Sequence, residues 1–364
     1  EMSGLSQAEA FARIRLLRSP RIGPVTFAQL LARCGSGEAA VEALPNLAKA
    51  GGGHYSLANQ DAVRREIEAV KRHGARYLFH DQPDYPRALG ACEGAPPIIT
   101  YKGDLSLASK PVVAMVGARN ASAAAVKLAR DFAQAISAEG FVVVSGLARG
   151  IDGAAHEGAM PHTIGVIASG IEIAYPPQHA ELQERIASEG LLIAEQPPGT
   201  EPRGSHFPSR NRIIAGLALG TLVVEAAVKS GSLITARLAG EYGREVMAIP
   251  GSPLDARSHG CNHLIREGAV LVQEASDVAE LLSTFDGAPR STFREPSAAF
   301  ETVPEDLAEA EPAEIAQLLT SAPVSVDELI RQSGAGSAAV QLALLELEIA
   351  GRLERHAGGK VSLS

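Results

Sequence analysis

The sequence predicts an α/β protein built around a doubly wound, mostly parallel sheet. Seven short apolar segments lie between residues 112 and 272, and they lack the polar alternation of strands that face water on one side. Helical patterns fill most of the intervals between them, so strand–helix–strand units repeat along the chain. The residues before this region have helical patterns, and those after it combine helices with a hairpin. A length of 364 residues suits such a core with two smaller domains.

The first 75 residues contain two short helical patterns separated at Ser19 to Pro24, where a Gly-Pro pair is typical of a turn. Thr26 is a candidate start for the second helix. This arrangement resembles a helix-hairpin-helix within a SAM-like bundle, so residues 1–78 are predicted to form a helical SAM-like domain. Such a hairpin can offer backbone N–H groups to a phosphate. Plain helix packing around a glycine turn is favoured, because one hairpin is a weak motif.

Residues 79–285 are predicted to form the Rossmann-like core. Its candidate strands are Val112–Val116, Phe141–Val144, Thr163–Ala168, Leu191–Ala194, Thr221–Val224, Glu245–Ile249 and Ala269–Val272. Ser122–Glu139 and Ser232–Tyr242 are among the helical patterns between them. In such sheets the binding crevice lies beyond the carboxyl ends of the strands. The informative residues should therefore follow the strands directly.

Residues 286–310 have no periodicity and are predicted to be a linker. The chain becomes periodic again over residues 311–364. Its predicted elements are helices at Pro312–Leu319, Val326–Gln332 and Ser337–Ala350, with Ser325 as an N-cap, and a hairpin of Leu353–Arg355 with Lys360–Leu363. Three helices and a hairpin resemble a winged helix.

The third helix of this winged-helix-like domain carries two acids and no Lys or Arg. A helix that reads duplex DNA needs donors for guanine and positive charge for phosphates. We therefore expect a module for protein interaction or regulation, tethered by the linker. Leu342 or Leu345 is the expected point of protein contact.

The composition limits the function classes. The net charge is −9, so any nucleic-acid site must be a local basic patch. Three widely spaced cysteines without a C-x-x-C pair indicate a reducing compartment. No apolar run approaches the ~18 residues of a membrane span, and the first residues lack a signal-peptide pattern, so a cytoplasmic location is expected.

Neither a metal nor a cofactor is predicted. His259, Cys261 and His263 lie close in sequence, but no fourth ligand is evident, and a loop leading into a helix is the default interpretation. Asp152 and His156 are four residues apart and suit pairing on one helical face. Local hydrogen bonding is the favoured role for that pair.

Four loops combine glycines, hydroxyls and cations at predicted helix starts, where free N–H groups favour an anion. The candidate DNA- and phosphate-binding residues are Gly117, Arg119 and Ser122; Ser145, Gly146, Arg149 and Gly150; Arg203, Phe207, Arg210, Asn211 and Arg212; and Lys229, Ser230, Gly231, Ser232 and Thr235. Guanidinium groups beside an aromatic ring are typical of single-stranded nucleic-acid sites. Neither a dinucleotide fingerprint nor a Walker A loop is present.

These blocks, in order along residues 110–275, resemble the DprA/Smf family of DNA-processing proteins. The segments Phe207-Pro-x-Arg-Asn-Arg-Ile-Ile214 and Lys229-Ser-Gly-Ser-Leu-Ile-Thr-Ala236 are the most specific. The resemblance implies a non-enzymatic protein that binds single-stranded DNA, usually as a homodimer, and hands incoming strands to RecA during natural transformation, displacing single-strand-binding protein. One departure is that Ala123 to Ala125 follow Ser122 where the family often has Ser-x-Tyr-Gly.

A phosphoribohydrolase is the alternative, since nucleotide-cleaving enzymes share a Rossmann-like core. Glu225 would then be the acid that aids cleavage of an N-glycosidic bond. The Gly-Gly-x-Gly-Thr loop usual in those enzymes is absent, and a mononucleotide hydrolase does not need Arg203, Arg210 and Arg212 together. A binding protein is therefore favoured over an enzyme.

Overall fold

The computed structural model describes residues 5–283, 312–356 and 358–364. Within these residues the chain forms two compact units. One unit begins at Glu66 and contains the large sheet, and the other combines residues 5–65 with the C-terminal domain. No helix in the described ranges is long and apolar enough to cross a membrane.

Four helices begin the chain. They are α1 (Gln7–Arg18), α2 (Pro24–Cys34), α3 (Gly37–Ala50) and α4 (Gln60–Arg72). Ser6 caps α1 and Ser36 caps α3, each by accepting a backbone N–H bond. The second helix starts at Pro24 instead of Thr26, because proline suits the first position of a helix, where no N–H is needed.

The unit that begins at Glu66 is organised by a nine-stranded sheet. Its strands are β1 (Arg76–Phe79), β2 (Ile98–Gly103), β3 (Val112–Val116), β4 (Val142–Ser145), β5 (Thr163–Ile167), β6 (Leu191–Ala194), β7 (Gly220–Val223), β8 (Glu245–Ala248) and β9 (Val270–Leu271). The order across the sheet is β1-β2-β6-β5-β4-β3-β7-β8-β9. Strands β3 to β9 are parallel, and β2 pairs antiparallel with both β1 and β6.

Helices cover both faces of this sheet. They are α5 (Arg87–Gly90), α6 (Ala123–Ala138), α7 (Ile151–Ala159), α8 (Ala180–Glu189), α9 (His206–Leu217), α10 (Ser232–Glu241), α11 (His259–Arg266) and α12 (Ala275–Ser283). Residues of α5, α9, α10 and α11 share one buried cluster, and those of α6, α7 and α12 share the opposite one. Along β3, Ala114 faces the first cluster and Met115 the second, which explains a strand without polar alternation.

The strand order reverses direction beside β3. The chain moves from β3 through β4 and β5 to β6 on one side, and then crosses back to β7 on the other. Helix α9 makes this crossing and packs against β3, β4 and β5. Val116 pairs with Val223 at the carboxyl ends of β3 and β7. A doubly wound sheet binds ligands at this switch point, so the fold places a binding crevice there.

The C-terminal domain has helices α13 (Pro312–Leu318), α14 (Val326–Ser333) and α15 (Ser337–Ile349) with strands β10 (Val324–Ser325), β11 (Leu353–His356) and β12 (Lys360–Leu363). The strands pair antiparallel in the order β10-β12-β11. Ser325 caps α14 by accepting the backbone N–H of Glu328. The predicted winged-helix architecture is confirmed.

The predicted doubly wound core is also confirmed, and its seven predicted strands correspond to β3 through β9. Strands β1 and β2 were not predicted. The predicted boundary at residue 78 falls inside β1, which belongs to the sheet. The two units also differ from a linear series of domains, since the N-terminal helices and the C-terminal domain form one unit.

Candidate nucleic-acid interface

A cavity of about 630 Å³ opens at the switch point between β3 and β7. Residues that follow these two strands line it together with the first turns of α7, α9 and α10. Predicted site residues in its wall are Gly117, Arg119, Phe207, Arg210, Asn211, Lys229, Ser230, Gly231, Ser232 and Thr235. Separate sequence blocks therefore converge on one space, and its volume is large enough for a nucleotide.

Phe207 lines this cavity with two guanidinium groups close to its ring. The Arg119 guanidinium carbon lies 5.3 Å from the centre of the Phe207 ring, and that of Arg210 lies 5.7 Å from it. Both distances are in the range of cation–π attraction. An aromatic ring beside guanidinium groups is the kind of surface on which single-stranded nucleic acids stack a base.

Arg210 is buried, and its guanidinium group already has hydrogen-bond partners. Its Nη1 donates to the carbonyl oxygens of Gly146 and, at 3.4 Å, of Val166. Asp152 accepts the backbone N–H groups of Gly146 and Ala148. Burial raises the pKa of the Asp152 carboxyl, and the nearby Arg210 charge opposes that rise. Arg210 therefore positions the Gly146 loop in addition to lining the cavity.

The exposed cations near the cavity differ from Arg210 in the hydrogen bonding of their charged groups. Arg119, Arg149, Arg203 and Lys229 are exposed, and no carboxylate or carbonyl of the described residues holds any of them. Arg212, by contrast, forms an ion pair with Glu195. The guanidinium groups of Arg210 and Arg212 thus already have partners, whereas the four exposed cations are open to an anion.

Three helices begin at this surface without a side-chain cap, namely α7, α9 and α10. Their first-turn N–H groups carry the positive end of the helix dipole. Before α10, the Ser230 and Ser232 hydroxyls lie 2.7 Å apart and form a compact polar turn. Lys229 precedes them, so this turn combines a cation, hydroxyls and a helix start.

Some predicted site residues have structural duties outside the cavity wall. Ser122 caps α6 by accepting the N–H of Ala125, and its own N–H and hydroxyl bind Glu225. Ser145 is fully buried and donates to the carbonyl of Met115 at 2.6 Å. Ser122 and Ser145 therefore stabilise the loops after β3 and β4 without lining the large cavity.

The glycines in these loops serve different purposes. Gly150 has a φ of +77°, and a Cβ there would lie 2.3 Å from the Ala118 carbonyl oxygen. A Cβ at Gly117 would lie 2.6 Å from Cγ1 of Ile151, so packing, as well as the tight turn, requires a glycine. Gly231 has open space around its Cβ position.

Glu225, the catalytic acid of the phosphoribohydrolase hypothesis, has a structural role in this fold. Glu225 is buried and binds the N–H and hydroxyl of Ser122, both at 3.0 Å. Its other oxygen lies 3.3 Å from Nε of Arg257. Neither Glu225 nor Ser122 lines the cavity. The carboxylate that the phosphoribohydrolase hypothesis requires thus anchors the loop after β3 to the loop after β8.

The histidine and cysteine candidates do not converge. His259 contacts the Pro253 carbonyl, Cys261 is buried against Val223, and His263 pairs with Glu267. Across the described ranges, no group of three or more His, Cys, Asp or Glu side chains is arranged to hold a metal ion. Asp152 and His156 also bind different partners, since His156 contacts Thr163 at 2.7 Å.

A small second cavity, of about 40 Å³, adjoins the large one at Phe207. Arg149 and Gly146, both predicted, line it, and so does Tyr175, which was not predicted. Tyr175 lies in the loop after β5, so the rule that informative residues follow strands would have found it. Its ring centre is 5.9 Å from that of Phe207.

Three protein-family models match successive parts of the chain. Residues 76–283 match the family model for DNA recombination-mediator protein A. Residues 7–69 match a DprA-like N-terminal helix-hairpin-helix domain, and residues 298–359 match a DprA winged helix domain.

Curated relatives carry related names. The chain is 36% identical to Protein Smf of Escherichia coli over 78% of its own length and 76% of the relative. It is 48% identical to the DNA processing protein DprA of Streptococcus pneumoniae over 53% of its length and 70% of the relative. It is 42% identical to Protein Smf of Synechocystis over 59% of its length, which spans 56% of that relative.

Two solved structures resemble this fold. The crystal structure of DprA from Streptococcus pneumoniae has a TM-score of 0.63 and 36% identity, covering 78% of this chain and 99% of that one. A structure of DNA processing protein A from Helicobacter pylori, described for its single-stranded DNA binding mode, has a TM-score of 0.54 and 28% identity, covering 58% and 97%.

Proposed function

We propose that this chain, which belongs to the DNA recombination-mediator protein A family, binds single-stranded DNA in the cavity between β3 and β7. The observation that carries the proposal is the Phe207 ring close to Arg119 and Arg210 at that cavity. A base stacks on the ring and the exposed cations take the adjacent phosphates. The relative from Helicobacter pylori, named for its single-stranded DNA binding mode, supports the same ligand.

The preference for single strands follows from access to the base. A face of Phe207 is useful only to a base that has left its stack, and bases in duplex DNA are stacked on both sides. The cavity wall places an aromatic ring among cations and helix starts, which is the arrangement of a site that follows a single strand instead of a duplex groove. We therefore expect binding that tolerates any sequence, depends strongly on salt and discriminates against duplex DNA.

The proposal extends to what becomes of the bound strand. Membership of a recombination-mediator family supports a role in which the chain passes single strands to RecA and displaces single-strand-binding protein. The same resemblance supports a homodimer and work in the cytoplasm during uptake of DNA in natural transformation. The test of this part is RecA filament formation on DNA coated with single-strand-binding protein, which the chain should accelerate; an unchanged rate would contradict it.

The DNA-binding proposal is tested by titration of a fluorescent oligonucleotide at several salt concentrations. Log affinity should fall linearly with log salt, with a slope near −0.7 for each phosphate contacted. Lys229→Ala removes one exposed cation, so it should weaken binding and make the slope shallower by about that amount.

Lys127→Ala is the matched control. Lys127 is an exposed lysine on α6 that pairs with Asp131 at 2.6 Å, and it lies outside the cavity wall. Its loss should leave both affinity and slope unchanged. A flat salt response of the parent, tighter binding to duplex, or equal effects of the two substitutions would overturn the proposed site.

A further inference from the structure

The small cavity beyond Phe207 has no role in the function proposed so far. It shares Arg119, Ala148, Phe207 and Arg210 with the large cavity, so the two spaces adjoin each other. The small cavity holds about 40 Å³ and is shallow. It is too small for a nucleotide, but its rim continues the surface on which a strand would lie.

Tyr175 forms the outer rim of that cavity. Its side chain is 46% exposed, and its ring centre lies 5.9 Å from that of Phe207 at an angle of 56°. No hydrogen bond within the described parts of the chain involves its hydroxyl. A large aromatic side chain left half in water beside a second aromatic ring has a face available for stacking.

Arg149 supplies the charge that such a stacking site needs. It lines the same cavity, is exposed and has no partner among the described residues. Arg119 lies at the boundary of both cavities. Two aromatic rings and two exposed cations thus line adjoining cavities, which is the composition of a groove that tracks a single strand.

We propose that Tyr175 is a second base-stacking platform, which holds the nucleotide next to the one stacked on Phe207, with its phosphate between Arg119 and Arg149. This inference rests on the proposed function, because it extends the path of the same strand. It adds an aromatic contact and a cation on the β5 side of the site. Stacking does not select the base, so the second platform adds affinity without sequence preference.

The experiment uses the fact that the chain contains no tryptophan. Tyr175→Trp introduces a single indole whose fluorescence reports directly on a stacked base. An oligothymidine should quench this emission, and quenching should saturate at the DNA concentration at which the anisotropy of a labelled oligonucleotide saturates. An oligonucleotide of abasic sites, which keeps the phosphates, should not quench it.

Leu271→Trp is the matched control, since Leu271 is 44% exposed on the edge strand β9 of the same sheet. Its emission should not respond to DNA. Anisotropy separates the two proposals. No binding at all contradicts the proposed function, whereas full binding with unquenched emission from the Tyr175→Trp variant overturns only the stacking role of Tyr175.

Affinity gives a second readout that does not depend on fluorescence. Tyr175→Phe keeps the ring and should bind as the parent does, because the hydroxyl has no hydrogen-bond partner among the described residues. Tyr175→Ala should bind roughly 5- to 150-fold more weakly, the cost of one stacked base. Equal affinity of the alanine variant and the parent would assign Tyr175 to the protein wall alone.

Discussion

At the scale of single residues, burial decides whether a cation holds a loop in position or is free to bind DNA, and Arg210 is of the first kind. Its guanidinium is 6% exposed and lies beside the buried Asp152. Removing it would leave a buried carboxylate without its nearby counter-charge, which costs about 3–5 kcal/mol in typical cases. A loss of DNA binding in such a variant would therefore report on folding. Lys229, exposed and unpaired within the described residues, is the cleaner probe of phosphate contact.

His156 is the other buried ionisable residue behind the site. Its Nδ1 lies 2.7 Å from the Thr163 hydroxyl, and that hydroxyl donates to the Val143 carbonyl. The ring therefore donates from Nδ1. Its Nε2 has no partner in the structure as described. The imidazole is thus held neutral in an apolar layer between α7 and the sheet.

This burial predicts an acid-sensitive stability. Desolvation lowers the pKa of His156 to about 3 from an ordinary 6.5. Between these values the unfolded chain binds a proton that the folded chain does not, so the free energy of unfolding decreases as pH falls below 6.5, by up to about 1.4 kcal/mol per pH unit. His156→Gln cannot titrate, so its urea-derived unfolding free energy should decline less steeply with acid. Parallel pH profiles of parent and variant would contradict this assignment.

At the scale of elements, the loops before α6 and α10 border the same cavity but differ in how they are built. The loop before α6 is fixed by Ser122, its cap, and by Gly117, which packs against Ile151. The start of α10 has no side-chain cap and an exposed Gly231 with open space at its Cβ position. Only the second of these two starts leaves room for a ligand and for a substitution that tests it.

Gly231→Asp should therefore separate binding from folding. Gly231 has a helical φ of −62° and ψ of −21°, so an Asp there favours the helix dipole without capping the helix, and thermal stability should be unchanged or slightly higher. The same carboxylate faces the cavity and repels phosphate, and affinity for single-stranded DNA should fall on the order of tenfold or more. The isosteric Gly231→Asn provides the control, since it adds the same bulk without charge and should bind far better than the Asp variant. Equal affinities of the two would place the phosphates elsewhere.

The strands show which elements a sequence reveals. Strands β3 to β9 are parallel, and their apolar runs, such as Val112–Val116, are visible because both faces are covered. Strands β1 and β2 form the antiparallel extension and are separated by 18 residues of mostly irregular chain. Ile98 to Tyr101 is rich in β-branched and aromatic residues. This composition favours a strand, but the segment is not part of a strand–helix–strand unit, so its place in the sheet was not predictable.

The candidate site was predictable for the same reason. Residues that follow parallel strands meet at one edge, so linear motifs sufficed to bring Arg119, Phe207 and Lys229 to one cavity. Burial was not predictable, because a motif does not say which arginine points inward. Arg210 and Arg212 are two positions apart in the sequence, yet Arg210 hydrogen-bonds to the Gly146 carbonyl and Arg212 pairs with Glu195.

At the scale of the whole molecule, the third helix of the winged helix has a partner within the chain. Val340, Leu344 and Leu347 of α15 belong to the winged-helix core. Leu345 and Ile349 lie outside that cluster and are nevertheless buried, and α3 packs against the helix. The apolar residues of α15 are thus covered on a second side of the helix, outside the winged-helix core.

Polar contacts fix this arrangement between the N-terminal helices and the C-terminal domain. Arg21 donates to the Ile349 carbonyl at 2.8 Å, and Arg352 donates to the Gly51 carbonyl at 3.2 Å. A Cβ at Gly51 would lie 2.3 Å from the Glu346 carbonyl oxygen. The acidic helix expected to contact a protein thus contacts the chain's own N-terminal helices instead of being a freely tethered module.

This docking can be tested in the full chain by cutting between the two ends. A protease site inserted within residues 293–310 would separate the C-terminal domain from the rest of the polypeptide. The cleaved domain should remain associated with the main fragment in size-exclusion chromatography, because its contacts with α3 and the residues after it do not depend on the linker. Elution of a free C-terminal fragment would contradict the docking.

Two glycine variants make the same test specific. Gly51 has an ordinary φ of −73°, so an added methyl group meets the Glu346 carbonyl without straining its own backbone, and Gly51→Ala should release the cleaved domain. Gly23→Ala is the control, since nothing lies within 4 Å of that Cβ position in the same helical domain. If both variants hold the fragment equally well, the interface does not depend on the close approach at Gly51. If both release it, the effect lies in the stability of the N-terminal helices, because of the two glycines only Gly51 lies against α15.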